Sequence, residues 1–240
     1  SNVFVDAKAA VGGTGTRAKP FSKVADALKA ATDGGTVAIA AGTYFMGQGI
    51  VKAITLRGRC AAMTKLQGSN LFVLSTAGKR PQVEVTVQDL TLAGNGMVPI
   101  DVGSTVMVQG GDPALHLRRV HISGGRIVGV DAHGQGALLR LTDCVIDKMQ
   151  PGQFKGEGGL GLSAYSGARV ELVRVRVATA RRIALLARGV GTQIVGHDVL
   201  VNDTLVDPKQ GTFGRNQCNL YIYQVIFISG GIYACCAGSG

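Results

Sequence analysis

Two aspartates about one repeat apart are the residues of this chain best suited to acid and base chemistry. Asp101 and Asp131 each lie among alternating apolar residues, so both are expected to face outward from a strand. If the two strands stack, the carboxyl groups lie about 5 Å apart, as in a retaining glycosidase, and they could share a Ca²⁺. His133, on the same face, could transfer a proton. We predict Asp101, Asp131 and His133 as catalytic residues; the sequence establishes no cofactor, and Ca²⁺ is the ion that the two aspartates could hold.

The same alternation places three further polar residues beside this pair. Ser163 is expected in the column of the two aspartates, whereas Tyr165 and Arg188 are expected in the column of His133. A tyrosine offers a stacking face for a sugar ring, and an arginine can bind a sugar carboxylate. We predict these three residues as substrate-binding. Ordinary solvent-facing polar residues on a strand remain the alternative interpretation.

A second candidate set consists of charged residues that recur at one position of a sequence repeat. Their signs alternate along the chain: Asp89, Arg119, Asp143, Arg174 and Asp198. Aspartates interleaved with arginines could hold a cation and a base for β-elimination from a uronate. The structural interpretation is a ladder of ion pairs that fixes the alignment of neighbouring coils, and it is favoured because regular alternation neutralises itself.

The elements that must position these residues follow from that repeat. One eight-residue pattern (apolar, x, apolar, x, x, apolar, x, apolar) occurs five times, as VTVQDLTL (85–92), LHLRRVHI (115–122), LRLTDCVI (139–146), VELVRVRV (170–177) and IVGHDVLV (194–201). The copies start 30, 24, 31 and 24 residues apart, which is typical of a solenoid coil. Alternation on either side of the two-residue step predicts two short strands that face one core.

A further strand precedes three of the copies, so each turn of the chain contains three strands. Glycine-rich segments separate them. The pattern therefore predicts an all-β protein, a right-handed parallel β-helix with three-sided coils stacked about 4.8 Å apart.

The first 35 residues are predicted to cap this solenoid. A strand over 2–6 is followed by a glycine-rich loop and then by a short amphipathic helix, with Ser22 as its N-cap and Gly34-Gly35 as its end. The helix is expected to cover the open end of the core. We thus divide the chain into a cap (1–35) and a parallel β-helix (36–240).

The beginning of the chain resembles a known family. The run FVDAKAAVGGTGTRAKPFSKVADALKAATDGGTVAIAAGTY, followed by ITLRG, resembles the amino-terminal signature of bacterial secreted proteins of the pectate-lyase-like parallel β-helix superfamily. The resemblance implies a right-handed β-helix, an extracellular or cell-envelope location, and polysaccharide as the usual ligand. The Asn-Thr-Asp, Asp-Asp and Gly-His-Gly motifs of polygalacturonase-like relatives are absent, as are pectate-lyase signatures, so the likeness does not imply those two reactions.

Composition and charge indicate which classes of ligand the protein is expected to bind. The chain of 240 residues has a net charge of +10 and only 5% aromatic residues. Its basic excess would attract a polyanion, yet it offers no base-stacking platform, so nucleic acid is not expected. No apolar run is long enough for a membrane span. We predict a secreted or cell-surface protein that binds or processes a polysaccharide, an acidic one above all, as a lyase or glycoside hydrolase if it is an enzyme. A non-catalytic structural or adhesive protein is the alternative.

The cysteines and the end of the chain complete the sequence predictions. Cys144 occupies an inward position of its repeat and is expected to be a small core residue, whereas the pairing of the other four cysteines is not deducible from spacing. Residues 216–240 carry no charge and stop without a polar cap. Self-association through this uncapped end is therefore expected.

Overall fold

The repeats form short parallel strands, as the computed structural model of the protein shows. The structure describes residues 2–47, 49–68, 71–75, 83–94, 104–150, 158–181, 183–203, 220–222 and 232–235. One helix, α1 (Val24–Ala30), precedes most of the strands. The strands, in chain order, are β1 (Asn2–Val5), β2 (Gly35–Ile39), β3 (Gly42–Phe45), β4 (Gly49–Ile50), β5 (Ile54–Arg57), β6 (Thr64–Gly68), β7 (Leu71–Ser75), β8 (Glu84–Gln88), β9 (Thr91–Gly94), β10 (Ser104–Gly110), β11 (Ala114–Arg118), β12 (His121–Ser123), β13 (Val128–His133), β14 (Leu138–Asp147), β15 (Leu160–Tyr165), β16 (Arg169–Ala178), β17 (Ile183–Arg188), β18 (Gln193–Asn202), β19 (Leu220–Ile222) and β20 (Ile232–Cys235).

The strands stack into three faces. Face A contains β1, β2, β5, β8, β11 and the first halves of β14, β16 and β18. Face B contains β3, β6, β9, β12, the second halves of the same three strands, and β20. Face C contains β4, β7, β10, β13, β15, β17 and β19. The pairings within these faces are parallel, and the prediction of a right-handed, three-sided parallel β-helix is confirmed.

The predicted alignment of the five repeats is also confirmed. Val85, Leu115, Leu139, Val170 and Ile194 follow one another in adjacent strands of face A. The inward positions of the repeats are buried, and Cys144 is a core residue as predicted. Burying these columns of branched side chains supplies the main stabilisation of the coils.

The exception in the inward columns, Gly196, has a steric explanation. A Cβ atom at Gly196 would lie 2.8 Å from a methyl carbon of Val199, so a larger side chain at position 196 has no room. Val199 itself is buried and fills that part of the core. The side chain of Val199 therefore occupies the space that an apolar residue at position 196 would otherwise fill.

The two-residue step is a corner in the left-handed backbone conformation. The five corner residues, which are those of the predicted charge ladder, have φ between 51° and 60°: Asp89, Arg119, Asp143, Arg174 and Asp198. Such φ values are uncommon outside glycine and cost a non-glycine residue about 1–2 kcal/mol. The turn reorients the chain so that the strands on both sides present apolar residues to the core.

Charges at these corners are paired between coils. Arg119 donates to both carboxylate oxygens of Asp89, at 2.6 and 3.0 Å, and Arg174 does the same with Asp143. Hydrogen bonding to the guanidinium group lowers the pKa of each of these two aspartates. The predicted ladder is therefore present in part, as two separate bidentate ion pairs, while Oδ2 of Asp198 lies 3.2 Å from Nε2 of His197.

The helix α1 lies against face A, although its beginning differs from the prediction. Lys23, not Ser22, occupies the N-cap position, and no side chain caps the helix there. The buried side of the helix is formed by Val24, Ala27 and Leu28, as the periodicity predicts. Strand β1 pairs with β2, so the segment predicted as a cap continues the sheet of the coils.

The end of α1 is held by the coil below it. The ammonium group of Lys52 donates to the main-chain carbonyls of Lys29 and Ala31, at 3.1 and 2.9 Å. Nearby, the Asp33 carboxylate accepts the main-chain N–H of Ala53 at 3.1 Å. The bonds from Lys52 satisfy carbonyls at a helix end, where a positive charge is also favourable. The predicted uncapped end of the chain lies mostly outside the described residues.

We expect Arg119→Asp to lower the melting temperature at low ionic strength. The change removes a bidentate ion pair and puts a carboxylate between Asp89 and Asp143. Aspartate tolerates a left-handed backbone at least as well as arginine, so the loss would be electrostatic. Lys148→Asp is the matched control, because Lys148 is exposed, also has a positive φ (57°), and is not among the charges that act on Asp89 or Asp143. Equal melting of both variants, or a difference that salt does not reduce, would contradict the ladder.

We expect Lys52→Met to destabilise the amino-terminal end of the protein by roughly 1–2 kcal/mol, because a charged donor to several carbonyls is lost. Hydrogen exchange of the α1 amides should accelerate more than that of the central strands. The control is Lys65→Met, which changes an exposed lysine on face B. If the two variants exchange at the same rate in α1, Lys52 does not hold the helix.

Candidate functional site

Five of the six predicted site residues lie together on face C. Asp131 of β13 is aligned with Ser163 of β15, as expected. His133, Tyr165 and Arg188 form the next column, on β13, β15 and β17. We call these five residues the face-C strip. The structure thus brings together the groups whose association the alternation predicts.

The alignment predicted for Asp101 is wrong. The strand next to β13 is β10, and its Met107 occupies the position below Asp131 that we assigned to Asp101. Asp101 itself lies outside the described residues. The paired carboxylates of a retaining glycosidase are therefore not present at this position of face C. Sequence reasoning also missed Gln109, an exposed residue of β10 that continues the column below His133.

The carboxyl group of Asp131 is the buried centre of the strip. Only 7% of this residue is exposed, and the hydroxyl group of Ser163 donates to Asp131 Oδ1 at 2.5 Å. Met107 and Leu186, both half-buried, lie on either side of this pair in the same column. Burial raises the pKa of Asp131, although the hydrogen bond from Ser163 and the nearby His133 act in the opposite direction. A carboxyl group that keeps its proton to a higher pH is suited to donate it.

The second column of the strip is more accessible. The rings of His133 and Tyr165 are 6.1 Å apart between centroids and tilted by 38°. His133 and Arg188 are exposed, whereas Tyr165 is half-buried. Within the part of the chain that the structure describes, no carboxylate lies within ion-pair distance of Arg188. The column therefore presents two rings and a cation beside a buried acid.

The ends of the strands explain why these side chains converge. His133, Tyr165 and Arg188 are each the last residue of a face-C strand, and each is followed by a residue with positive φ: Gly134 (105°), Ser166 (56°) and Gly189 (102°). Because the chain turns at the corresponding position of each successive coil, the side chains just before the turn form one row. The glycine-rich segments after His133 (GQG, 134–136) and Arg188 (GVG, 189–191) are the sequence signal for this row.

Four arginines in the described part of the central coils are engaged by acids. On face A, the Glu171 carboxylate accepts hydrogen bonds from Arg140 at 2.6 Å and from Arg169 at 2.7 Å. Arg119 and Arg174 are bound at the corners. These four arginines are neutralised by acids, whereas Arg188 has no carboxylate within ion-pair distance among the residues that the structure describes.

Residues for a metal ion are not grouped in the described part of the chain. There, no three or more His, Cys, Asp or Glu side chains lie close enough to hold an ion together. Asp131 with Ser163 provides one carboxylate and one hydroxyl group. The prediction of Ca²⁺ binding stays a prediction.

No family model and no curated protein sequence matches the chain. Solved structures that resemble it include pectin methylesterase PemA from Erwinia chrysanthemi (11% identity, 85% of this chain and 79% of that chain covered, TM-score 0.49). A rhamnogalacturonan lyase (11% identity, 85% and 74% covered, TM-score 0.45) and a pectin methylesterase from Aspergillus niger (14% identity, 99% and 86% covered, TM-score 0.48) also resemble it. At this distance the likeness carries no argument about activity. No helix in the described residues is long and apolar enough to cross a membrane.

We expect Asp131→Asn to stabilise the protein at neutral pH, on the order of 1 kcal/mol, because asparagine can still accept the Ser163 hydrogen bond without a buried charge. A carboxyl pKa raised by folding means that stability is lost as pH rises through that pKa. The advantage of the variant should therefore disappear below pH 3.8, the usual pKa of aspartate.

Asp143→Asn is the control with the opposite sign. Folding lowers the pKa of Asp143, so its contribution to stability is present at neutral pH and is lost as pH falls through the lowered pKa. Urea denaturation of both variants at several pH values checks the pair. If the Asp131→Asn protein is less stable than the wild type at pH 7, hydrogen bonds and nearby charges offset the cost of burying the ionised carboxylate, and the prediction is wrong.

Proposed function

We propose that this protein binds an acidic polysaccharide along the face-C strip and that Asp131 takes part in proton transfer to it. The observation that carries the proposal is the juxtaposition of two columns. One contains the buried Asp131 and Ser163 pair, and the other contains the His133 and Tyr165 rings and the exposed Arg188. Three neighbouring strands, β13, β15 and β17, thus bring together two rings that can stack, an anion-binding group and a carboxyl group with a raised pKa.

The shape and charge of the strip support an acidic polymer as the ligand. Successive coils are about 4.8 Å apart, a distance similar to the length of one sugar unit, so a chain parallel to the axis could place one unit over each coil. Rings on neighbouring coils can stack against pyranose faces. An arginine binds a carboxylate with two parallel hydrogen bonds, and the net charge of +10 attracts polyanions from solution.

Elimination fits the described residues better than a two-carboxylate hydrolysis. Elimination needs one base and one acid: the base removes the proton at C5 of a uronate, the electrons form the C4–C5 double bond, and the C4–O bond breaks as the leaving oxygen takes a proton. His133 could act as the base and Asp131 as the acid, while Arg188 holds the carboxylate that makes the C5 proton acidic. Hydrolysis with retention would need a second carboxylate beside Asp131, where Met107 lies.

The location we propose is extracellular or in the cell envelope, where acidic polysaccharides occur. A non-catalytic structural or adhesive protein is the second candidate. It is favoured by the ion pairs of Asp89 with Arg119 and of Asp143 with Arg174, which fix neighbouring coils to one another without leaving charge for a ligand. The two candidates differ in whether the bound polymer is cleaved.

We expect the wild-type protein to bind polygalacturonate more tightly than a neutral polymer such as dextran. Arg188→Gln should weaken binding roughly tenfold, because a charge-assisted pair is lost. Arg176→Gln is the matched control, since Arg176 is an exposed arginine on face B, bonded to Asn202. Affinity electrophoresis or calorimetry checks both variants. If the two variants bind polygalacturonate with equal affinity, the face-C strip is not the binding site.

Catalysis is tested with Asp131→Asn on the same polymer. Unsaturated ends are measured by ultraviolet absorbance and new reducing ends by a colour assay, over a panel of acidic polysaccharides with and without Ca²⁺. We expect the variant to bind the polymer but to lose product formation. If the wild type binds yet forms neither kind of end, the non-catalytic candidate is correct.

A further inference from the structure

The amino-terminal ends of faces A and B are finished differently. On face A, the first strand, β1, is followed outward by a loop: Phe4 N–H donates to the Gly15 carbonyl at 2.9 Å, and Phe21 N–H donates to the Phe4 carbonyl at 2.9 Å. This loop closes the edge of the sheet. On face B, the first strand is β3, which is the last strand in the order of its sheet. Among the described residues, β3 pairs with β6 along one edge, and no strand pairs with its other, outer edge.

The outer edge of β3 presents main-chain groups in a regular row. The N–H groups of Gly42 and Met46 donate toward the β6 side, to the carbonyls of Met63 and Gln67 at 2.9 Å. In a strand, successive residues direct their main-chain groups to opposite sides. The N–H and C=O groups of Thr43 and Phe45 therefore point away from β6. Among the residues that the structure describes, none pairs with them.

The side chains beside this edge form an exposed surface. Phe45 is 72% exposed, and it covers Gly68 so closely that a Cβ atom there would be 3.0 Å from its ring. Lys65 is aligned with Thr43, and Gln67 with Phe45, and both are exposed. Unpaired edges with an exposed aromatic residue are sites at which sheets add strands.

Most of the described charged residues beside this edge are basic. Lys65, which is aligned with Thr43 on the neighbouring strand, is exposed. Arg59, also exposed, lies at the corner before β6, where its N–H is bonded to Thr64. The exposed Lys8 follows Ala7, whose N–H donates to Tyr44 of β3. One acid is also close: Asp6, whose charge helps to raise the pKa of Tyr44 and whose carboxylate accepts the main-chain N–H of Lys8 at 2.9 Å.

We propose that the outer edge of β3 is a docking site for an extended acidic segment of a partner protein, which adds a strand to face B. Main-chain hydrogen bonds to Thr43 and Phe45 would align the segment, and Lys65 would pair with its acidic side chains. Because Thr43, Lys65 and Phe45 lie on the outer side of the sheet, a segment with alternating acidic and apolar residues would bring its acids to that side, near Lys65. Its apolar groups would then lie on the side of the buried Tyr44 and Met46.

Two other occupants fit less well. A second copy of this chain, paired edge to edge, would bring two surfaces of the same positive sign together, including both Lys65 residues. A polysaccharide would use Lys65 and the Phe45 ring but has no row of amide groups to match the main chain of β3. The proposal is independent of the face-C strip, which lies on another side of the coil.

The experiment uses a labelled octapeptide in which Glu alternates with Val or Thr, and measures fluorescence anisotropy with the whole protein. A second peptide has the same sequence with every other amide N-methylated, and a third has Lys in place of Glu. We expect the first peptide to bind at least tenfold more tightly than the other two. Similar affinity of the methylated peptide would overturn the proposal, because strand addition requires free amides.

Variants of the edge provide the second arm. Thr43→Pro removes an outward N–H that has no partner in the described sheet, a change that edge strands tolerate, and should abolish binding, whereas Thr43→Ala should not. Lys65→Glu should weaken binding at least fivefold at low salt, and Lys148→Glu, with the same charge change at a distant corner, should not. Binding unaffected by Thr43→Pro, full competition by polygalacturonate, or protein dimers that dissociate on Thr43→Pro would each overturn the peptide assignment.

Discussion

Everything in this structure depends on keeping apolar side chains inward on both sides of a two-residue corner. Each repeat has four inward positions, and the corner residue must take a left-handed backbone so that the second strand turns its apolar side to the same core. The stacked columns of Leu, Val and Ile offset the cost of that conformation, because each coil buries them against the coils above and below. The faces, the ion pairs and the face-C strip are built on this alternation.

The three faces use the same scaffold for different purposes. Face A and its corner direct opposite charges at each other, as Arg119 with Asp89 and Arg140 with Glu171 show, so these charges hold the coils in alignment. Face C instead places an acid among half-buried apolar residues and leaves Arg188 exposed. The difference is one of surroundings: hydrogen bonding to Arg174 lowers the pKa of Asp143, whereas burial raises the pKa of Asp131 despite the hydrogen bond from Ser163.

Much of the fold was predictable because the signal is periodic. The inward columns and the pairing of Asp131 with Ser163, and of His133 with Tyr165, follow from counting by twos in strands with clear apolar partners. Asp101 was misplaced because two stretches of one coil alternate, 98–102 and Ser104–Gly110, and the pattern alone does not decide which one pairs with β13. Nor does a pattern contain the depth of burial of Asp131 or the positive φ of the corners, since both depend on packing between coils.

Cys144 shows the chemical effect of placing a thiol in an inward column. Burial raises its pKa to about 11, and its Sγ contacts the carbonyls of Thr142 and Leu117 at 3.3 and 3.4 Å. The thiolate, which is the reactive form, is therefore almost absent at neutral pH, and reagents cannot reach the sulfur in the closed coil. Cys144 can be alkylated only when its coil opens. The rate of alkylation therefore reports on local opening of the middle of the solenoid.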